Sequence, residues 1–158
     1  MLSRREFLRR AAGATVLVGG SAAVARALHA AAKPVTMTVY KRPTCGCCVK
    51  WVEHLAGQPT IRVVTKDIED LDSVKAQLGV PASLMTCHTG VAAGYVFEGH
   101  VPGDLVARVL RERPKGLAGL AVPGMPVGSP GMEVGTRKEA YDVIAFMKDG
   151  TTRVYAKR

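Results

Sequence analysis

Aromatic side chains are scarce in this 158-residue chain, at 5% with a single Trp, and no basic run is interleaved with them. Nucleic-acid binding, which leans on base stacking beside cationic side chains, is therefore not expected. Long apolar runs are lacking as well. The weakly apolar stretch from Ala11 to Val24 is broken by Gly13, Gly19, Gly20 and Ser21, and is too short for a hydrocarbon core of ~30 Å, so no stable membrane anchor is expected. Acidic residues are few, 13 against 22 Lys and Arg, for a net charge of +9. Five of those bases (Arg4, Arg5, Arg9, Arg10, Arg26) and one acid (Glu6) fall in the first 32 residues, which leaves a net +5 on the other 126. That residual excess accounts for solubility and little more. The length excludes a large multidomain enzyme, and 47% hydrophobic with 22% charged residues is a globular composition.

The N-terminus carries Ser3-Arg4-Arg5-Glu6-Phe7-Leu8, the soft apolar stretch, and small residues at Ala25-Arg26-Ala27 and Ala30-Ala31-Ala32. A charged head, a modest apolar centre and small residues before a cut define an export signal, expected over 1–32. The Arg pair followed by x-Phe-Leu resembles a twin-arginine (Tat) signal. That route carries folded protein across the membrane by way of the Tat translocase.

Residues 33–158 read as one domain, with a core over 33–113, a loop over 114–136 and a C-terminal hairpin over 137–158. Val35–Lys41 and Thr60–Asp67 have strand patterning, and Cys48–Gly57, Asp70–Leu78 and Asp104–Arg113 have helical spacing. Ala82–Thr86 and Tyr95–Phe97 supply two further strands. Strands alternating with helices, then paired strands and a helix, predict an α/β fold with a thioredoxin-like central sheet and flanking helices. That plan places a cis Pro81 opposite the first helix. Gly116–Gly135 is rich in Gly, Pro and Met and has no periodicity, so it predicts an irregular loop. Tyr141–Lys157 alternates on both sides of Asp149-Gly150, a hairpin signal.

Four cysteines, Cys45, Cys47, Cys48 and Cys87, carry the chemistry. Cys45 and Cys48 have C-x-x-C spacing at the turn from the first strand into the first helix, where free N–H groups and the helix dipole stabilise thiolates. In an exported protein this pair suits a disulfide or thiol–disulfide exchange, with Cys45 as nucleophile and Cys48 as resolving thiol. Cys47 would compete with that exchange. Three thiols in four residues, with Cys87 brought close by the fold, suit a thiolate metal site, for which copper(I) and zinc are the candidates. A structural zinc site would hold one ion without chemistry. His88, His100, Met125 and Met132 are the further soft donors, and thioether donors favour copper(I) over zinc.

Cys45-Gly46-Cys47-Cys48 with Trp51 and His54 behind it, Cys87-His88-Thr89, Glu98-Gly99-His100-Val101-Pro102 and GLAVPGMPVGSPGME together resemble the CopG-type copper proteins, a thioredoxin-like family, from about Val35 to the C-terminus. Thr86 stands where the pattern has Ser and keeps the hydroxyl. The resemblance implies a periplasmic protein of copper resistance whose Cys45, Cys47, Cys48 and Cys87 hold a multinuclear copper cluster, Cu(I) favoured. His88, His100, Met125 and Met132 are the further ligands it suggests. It also implies interconversion of Cu(I) and Cu(II), which would make the protein a copper oxidoreductase served by periplasmic copper-handling or electron-transfer partners.

Overall fold

The computed structural model describes residues Lys33–Arg158; the export signal expected over 1–32 lies outside them. β1 (Val35–Lys41) leads into α1 (Gly46–Ala56), β2 (Ile61–Asp67) and α2 (Leu71–Gln77). A 3-10 turn (Ala82–Leu84) then precedes β3 (His88–Ala92), β4 (Tyr95–Gly99) and α3 (Gly103–Glu112). β5 (Leu117–Val122), β6 (Asp142–Met147) and β7 (Thr152–Lys157) complete the chain. One seven-stranded sheet has the order β2-β1-β3-β4-β5-β6-β7. β1/β2 and β4/β5 are parallel and the other neighbours antiparallel. The α/β class and the thioredoxin-like sheet with flanking helices hold. Among the described residues no helix is long and apolar enough to cross a membrane.

Periodicity explains the helices. In α1 the buried residues Cys48, Trp51 and Leu55 form one stripe, and α3 buries Leu105, Val106, Val109 and Leu110. Both stripes join Met37, Val39 and Phe97 in one hydrophobic cluster. Val80, Leu84, Val96, Ala121 and Phe146 form a second cluster. Val96 and Phe97 are consecutive on β4, so the two clusters lie on opposite faces of the sheet. Asp70 caps α2 by accepting from the Ser73 N–H at 3.2 Å.

Three expectations are corrected. Gly116–Gly135 is not irregular throughout, because β5 occupies Leu117–Val122 between β4 and β6. Both faces of that strand are covered, so it reads as a continuous apolar run broken by glycine rather than as an alternation. The strand expected at Ala82–Thr86 is a 3-10 turn over Ala82–Leu84, and β3 begins only at His88. Pro81 is trans, there being no cis peptide bond among the described residues. It introduces the 3-10 turn, and Cys87, at the entrance to β3, faces the first helix instead. The hairpin at Asp149-Gly150 forms as expected, with Thr152 opposite Phe146.

Candidate metal centre

β1 ends beside β3 with Lys41 paired to His88. The start of α1 and the entrance to β3 therefore meet at one end of the β1/β3 pair, and the cysteines converge there. Cys45 is the N-cap of α1 and makes no side-chain cap bond, which leaves its sulfur to the site. Cys45 and Cys48 are joined as a disulfide with Cα atoms 5.3 Å apart, and Cys47 and Cys87 are free thiols. Cys47 Sγ lies 3.6 Å from Cys45 Sγ and 3.9 Å from Cys87 Sγ. Cys48 Sγ is 3.5 Å from the Cys87 carbonyl oxygen. All four sulfurs lie within 4.8 Å of one another.

Cys87 links this sulfur group to two histidines. Its Sγ is 3.2 Å from His88 Nδ1 and 3.3 Å from His100 Nε2. The His100 Nδ1–H donates to the Pro130 carbonyl at 2.7 Å, which leaves Nε2 as the bare nitrogen facing the sulfur. The His88 and His100 rings meet edge to face with centroids 4.9 Å apart, and Trp51 covers His88 at 4.4 Å. Both histidines are fully buried, and His88 Nε2 has no hydrogen-bond partner.

The electrostatics follow from this enclosure. Burial, then the neighbouring Cys47 sulfur, pushes the Cys87 thiol up to about 12. Burial holds His88 well below the ordinary imidazole value, with His100 and Lys75 adding to the effect. Burial also lowers His100, partly offset by its bond to Pro130. Two imidazoles kept neutral beside a sulfur are ready as donors to a soft metal ion.

The Met-bearing loop closes over the site at Gly131. A Cβ there would stand 2.8 Å from the Trp51 backbone nitrogen, 2.9 Å from the Cys47 carbonyl oxygen and 3.3 Å from His100 Nδ1. The backbone also has φ +87, so only glycine lets the loop approach this closely. Met132 follows it and is half-buried, whereas Met125 is 40% exposed at the turn after β5. His54 accepts from the Gly103 N–H at 3.0 Å and thereby caps α3, apart from the sulfurs. Met37 is core.

Sequence reasoning missed a buried polar group behind the ligands. Lys75 on α2 and Glu98 on β4 are both fully buried and form an ion pair. Lys75 Nζ also donates to Thr89 Oγ1 at 2.9 Å. Glu98 accepts from the Thr86 N–H at 2.6 Å and from Thr89 Oγ1 at 2.6 Å, and from Thr86 Oγ1 at 3.3 Å. The available signal was Lys75 at helical spacing between Leu71 and Leu78, a cation on an apolar stripe.

Comparison with known proteins places these features in context. A family described as a protein of unknown function, DUF411, matches residues 84–132. No curated protein matches the chain. The solved structure of the copper resistance protein CopG, form 2, is similar at 41% identity with a TM-score of 0.75, covering 80% of this chain and 99% of that one. Form 1 is similar at 41% identity with a TM-score of 0.74, covering 80% and 98%.

Proposed function

We propose, from the premise that this chain belongs to the family of the copper resistance protein CopG, that it binds copper in a multinuclear cluster at Cys45, Cys47, Cys48 and Cys87 and interconverts Cu(I) and Cu(II). The observation that carries this is the convergence of four sulfurs within 4.8 Å of one another, with His88 and His100 against Cys87; Cys47 and Cys87 are free thiols, and Cys45 and Cys48 join the donor set as thiolates once their disulfide is reduced. The donor set fits copper: thiolates favour Cu(I), imidazoles accommodate Cu(II) as well, and the buried His88 Nε2 lacks a partner. Met132, half-buried beside Gly131, is the thioether donor this reading assigns, while Met125 is 40% exposed at a turn and is left out of the donor set. The N-terminus of α1 offsets the negative charge of several thiolates.

The Cys45–Cys48 disulfide gives the interconversion a balanced form. The two thiolates give up one electron each to two Cu(II) ions, two Cu(I) ions result, and the sulfurs join. Reopening the bond takes two electrons and two protons from a thiol reductant. A one-electron protein partner serves the same purpose at copper when the thiolates stay reduced.

The same disulfide favours a second reading, thiol–disulfide exchange with half-buried Cys45 as nucleophile and buried Cys48 as resolving thiol. Reduction of protein disulfides by the metal-free protein would establish it.

The proposed location is the periplasm, reached through the Tat translocase on a signal over residues 1–32, with residues 33–158 as the copper domain. Replacing Arg4 and Arg5 with Lys should hold the precursor in the cytoplasm, and undiminished export would rule the route out. The copper reading is tested by metal analysis and X-ray absorption on protein taken from the periplasm. Several copper ions per chain with sulfur as the main donor are expected. A single zinc, or no metal with retained exchange activity, would overturn the reading.

A further inference from the structure

Buried ion pairs seldom add net stability, because desolvation offsets the attraction. The location of this one is therefore informative. Glu98 binds the chain on both sides of Cys87-His88, through the Thr86 N–H and hydroxyl and through the Thr89 hydroxyl. Lys75 fixes the same Thr89 hydroxyl and the same carboxylate from α2. Glu98 is itself on β4, two residues before His100, which follows the end of that strand. The residue between them, Gly99, has φ +69, and a Cβ there would stand 2.4 Å from Thr86 Oγ1 and 2.8 Å from the Val122 carbonyl oxygen. One carboxylate thus registers the Cys87-His88 segment against the segment that carries His100. The network lies on the opposite side of β3 from His88, because Thr89 and His88 alternate along the strand.

We infer that Glu98, Thr86 and Thr89 are positioning residues that set Cys87, His88 and His100 at copper-binding separation, with Lys75 the buried countercharge that holds the Glu98 carboxylate in place. The inference rests on the copper reading above for its purpose, while the geometry it asserts exists without metal. Groups that orient ligands in this way typically change metal affinity by roughly 10- to 100-fold when removed.

Two paired substitutions separate positioning from plain support of the fold. Lys75→Met with Glu98→Gln removes both charges and keeps an acceptor for Thr86 and Thr89. Lys75→Met with Glu98→Leu removes the acceptor as well. Each is compared with the parent full-length protein by thermal melting, by Cu(I) competition against a chelator, and by crystal structure of the metal-free form. The Gln pair should keep Cys87 Sγ near His100 Nε2 and hold copper within a few-fold of the parent. The Leu pair should fold, lose that contact and bind copper roughly 10- to 100-fold more weakly. Should the Leu pair fail to fold, Thr89→Val removes one bond to each charged group and is expected to give the same loss in smaller degree. Parent-like contacts and copper affinity in the folded Leu pair, or in Thr89→Val, would overturn the inference. If the parent itself holds no copper, the copper reading fails, and the metal-free crystal structures decide the positioning role by themselves.

Discussion

His100 Nε2 faces Cys87 Sγ at 3.3 Å because the opposite ring nitrogen is committed to the Pro130 carbonyl. A backbone oxygen on the covering loop thus selects the tautomer of a candidate ligand. The arrangement needs the loop to lie flat on α1, and Gly131 permits that approach.

Gly131→Ala should lift the loop. The added Cβ meets backbone atoms of Trp51 and Cys47 rather than a flexible side-chain end, and the residue must also hold φ +87. A stability loss of about 1–3 kcal/mol is expected, with weaker copper retention and a His100 tautomer no longer fixed. Denaturant unfolding and imidazole nitrogen spectra of the metal-free protein measure these effects. Parent-like values for both would show that the loop does not set His100.

The pH dependence of the metal-free protein follows from His88 and His100. Both have folded values below the ordinary 6.5, so the unfolded chain takes up protons first as pH falls. Stability from keeping them neutral is complete above about 6.5 and declines below it, by up to about 1.4 kcal/mol per pH unit for each ring. Chemical denaturation between pH 7.5 and 5 should show that decline, and His88→Phe should remove part of the slope. A flat profile in the parent would mean that the two rings protonate without cost in the fold.

Much of this arrangement was legible before the structure, and the exceptions share a cause. Amphipathic stripes such as Trp51/Leu55 and Leu105/Val109 declare their helices because one face meets water. The hairpin at Asp149-Gly150 declares itself by alternation and turn chemistry. β5 did not, because a central strand with no solvent face has no alternation to show. The cysteines and both histidines were identifiable as soft donors, and the fold brings them together. The Lys75–Glu98 pair was not legible, since what buries both is a contact between α2 and β4 that is 23 residues apart in sequence. The closed Cys45–Cys48 bond was one of several options that spacing alone left open.

Serine substitutions across the four cysteines distinguish a cluster from an exchange pair. Cys47 and Cys87 are free and sit 3.9 Å apart, with Cys47 3.6 Å from Cys45. In a shared-thiolate cluster, Cys47→Ser and Cys87→Ser should each reduce copper stoichiometry as severely as Cys45→Ser, because bridging is lost together with a donor. Mass-spectrometric metal analysis of the reduced proteins gives the comparison. If only Cys45 and Cys48 matter, exchange chemistry is the better account.

The two loop methionines should differ. Met125 is 40% exposed at a turn, and its thioether gains no enclosure from the fold. Met132 is half-buried and adjoins Gly131, and its backbone closes the turn with Ser129 at 2.8 Å and with Gly128 at 3.0 Å. Leucine preserves volume and apolarity at either position, so a packing role alone predicts little change. Met132→Leu should weaken Cu(I) retention on the order of tenfold, the scale at which groups around a metal site tune it, while Met125→Leu should match the parent. Competition with a Cu(I) chelator at fixed pH reads both. Full retention in the double substitution would remove the thioethers from the donor set and leave four sulfurs and two imidazoles to hold the metal.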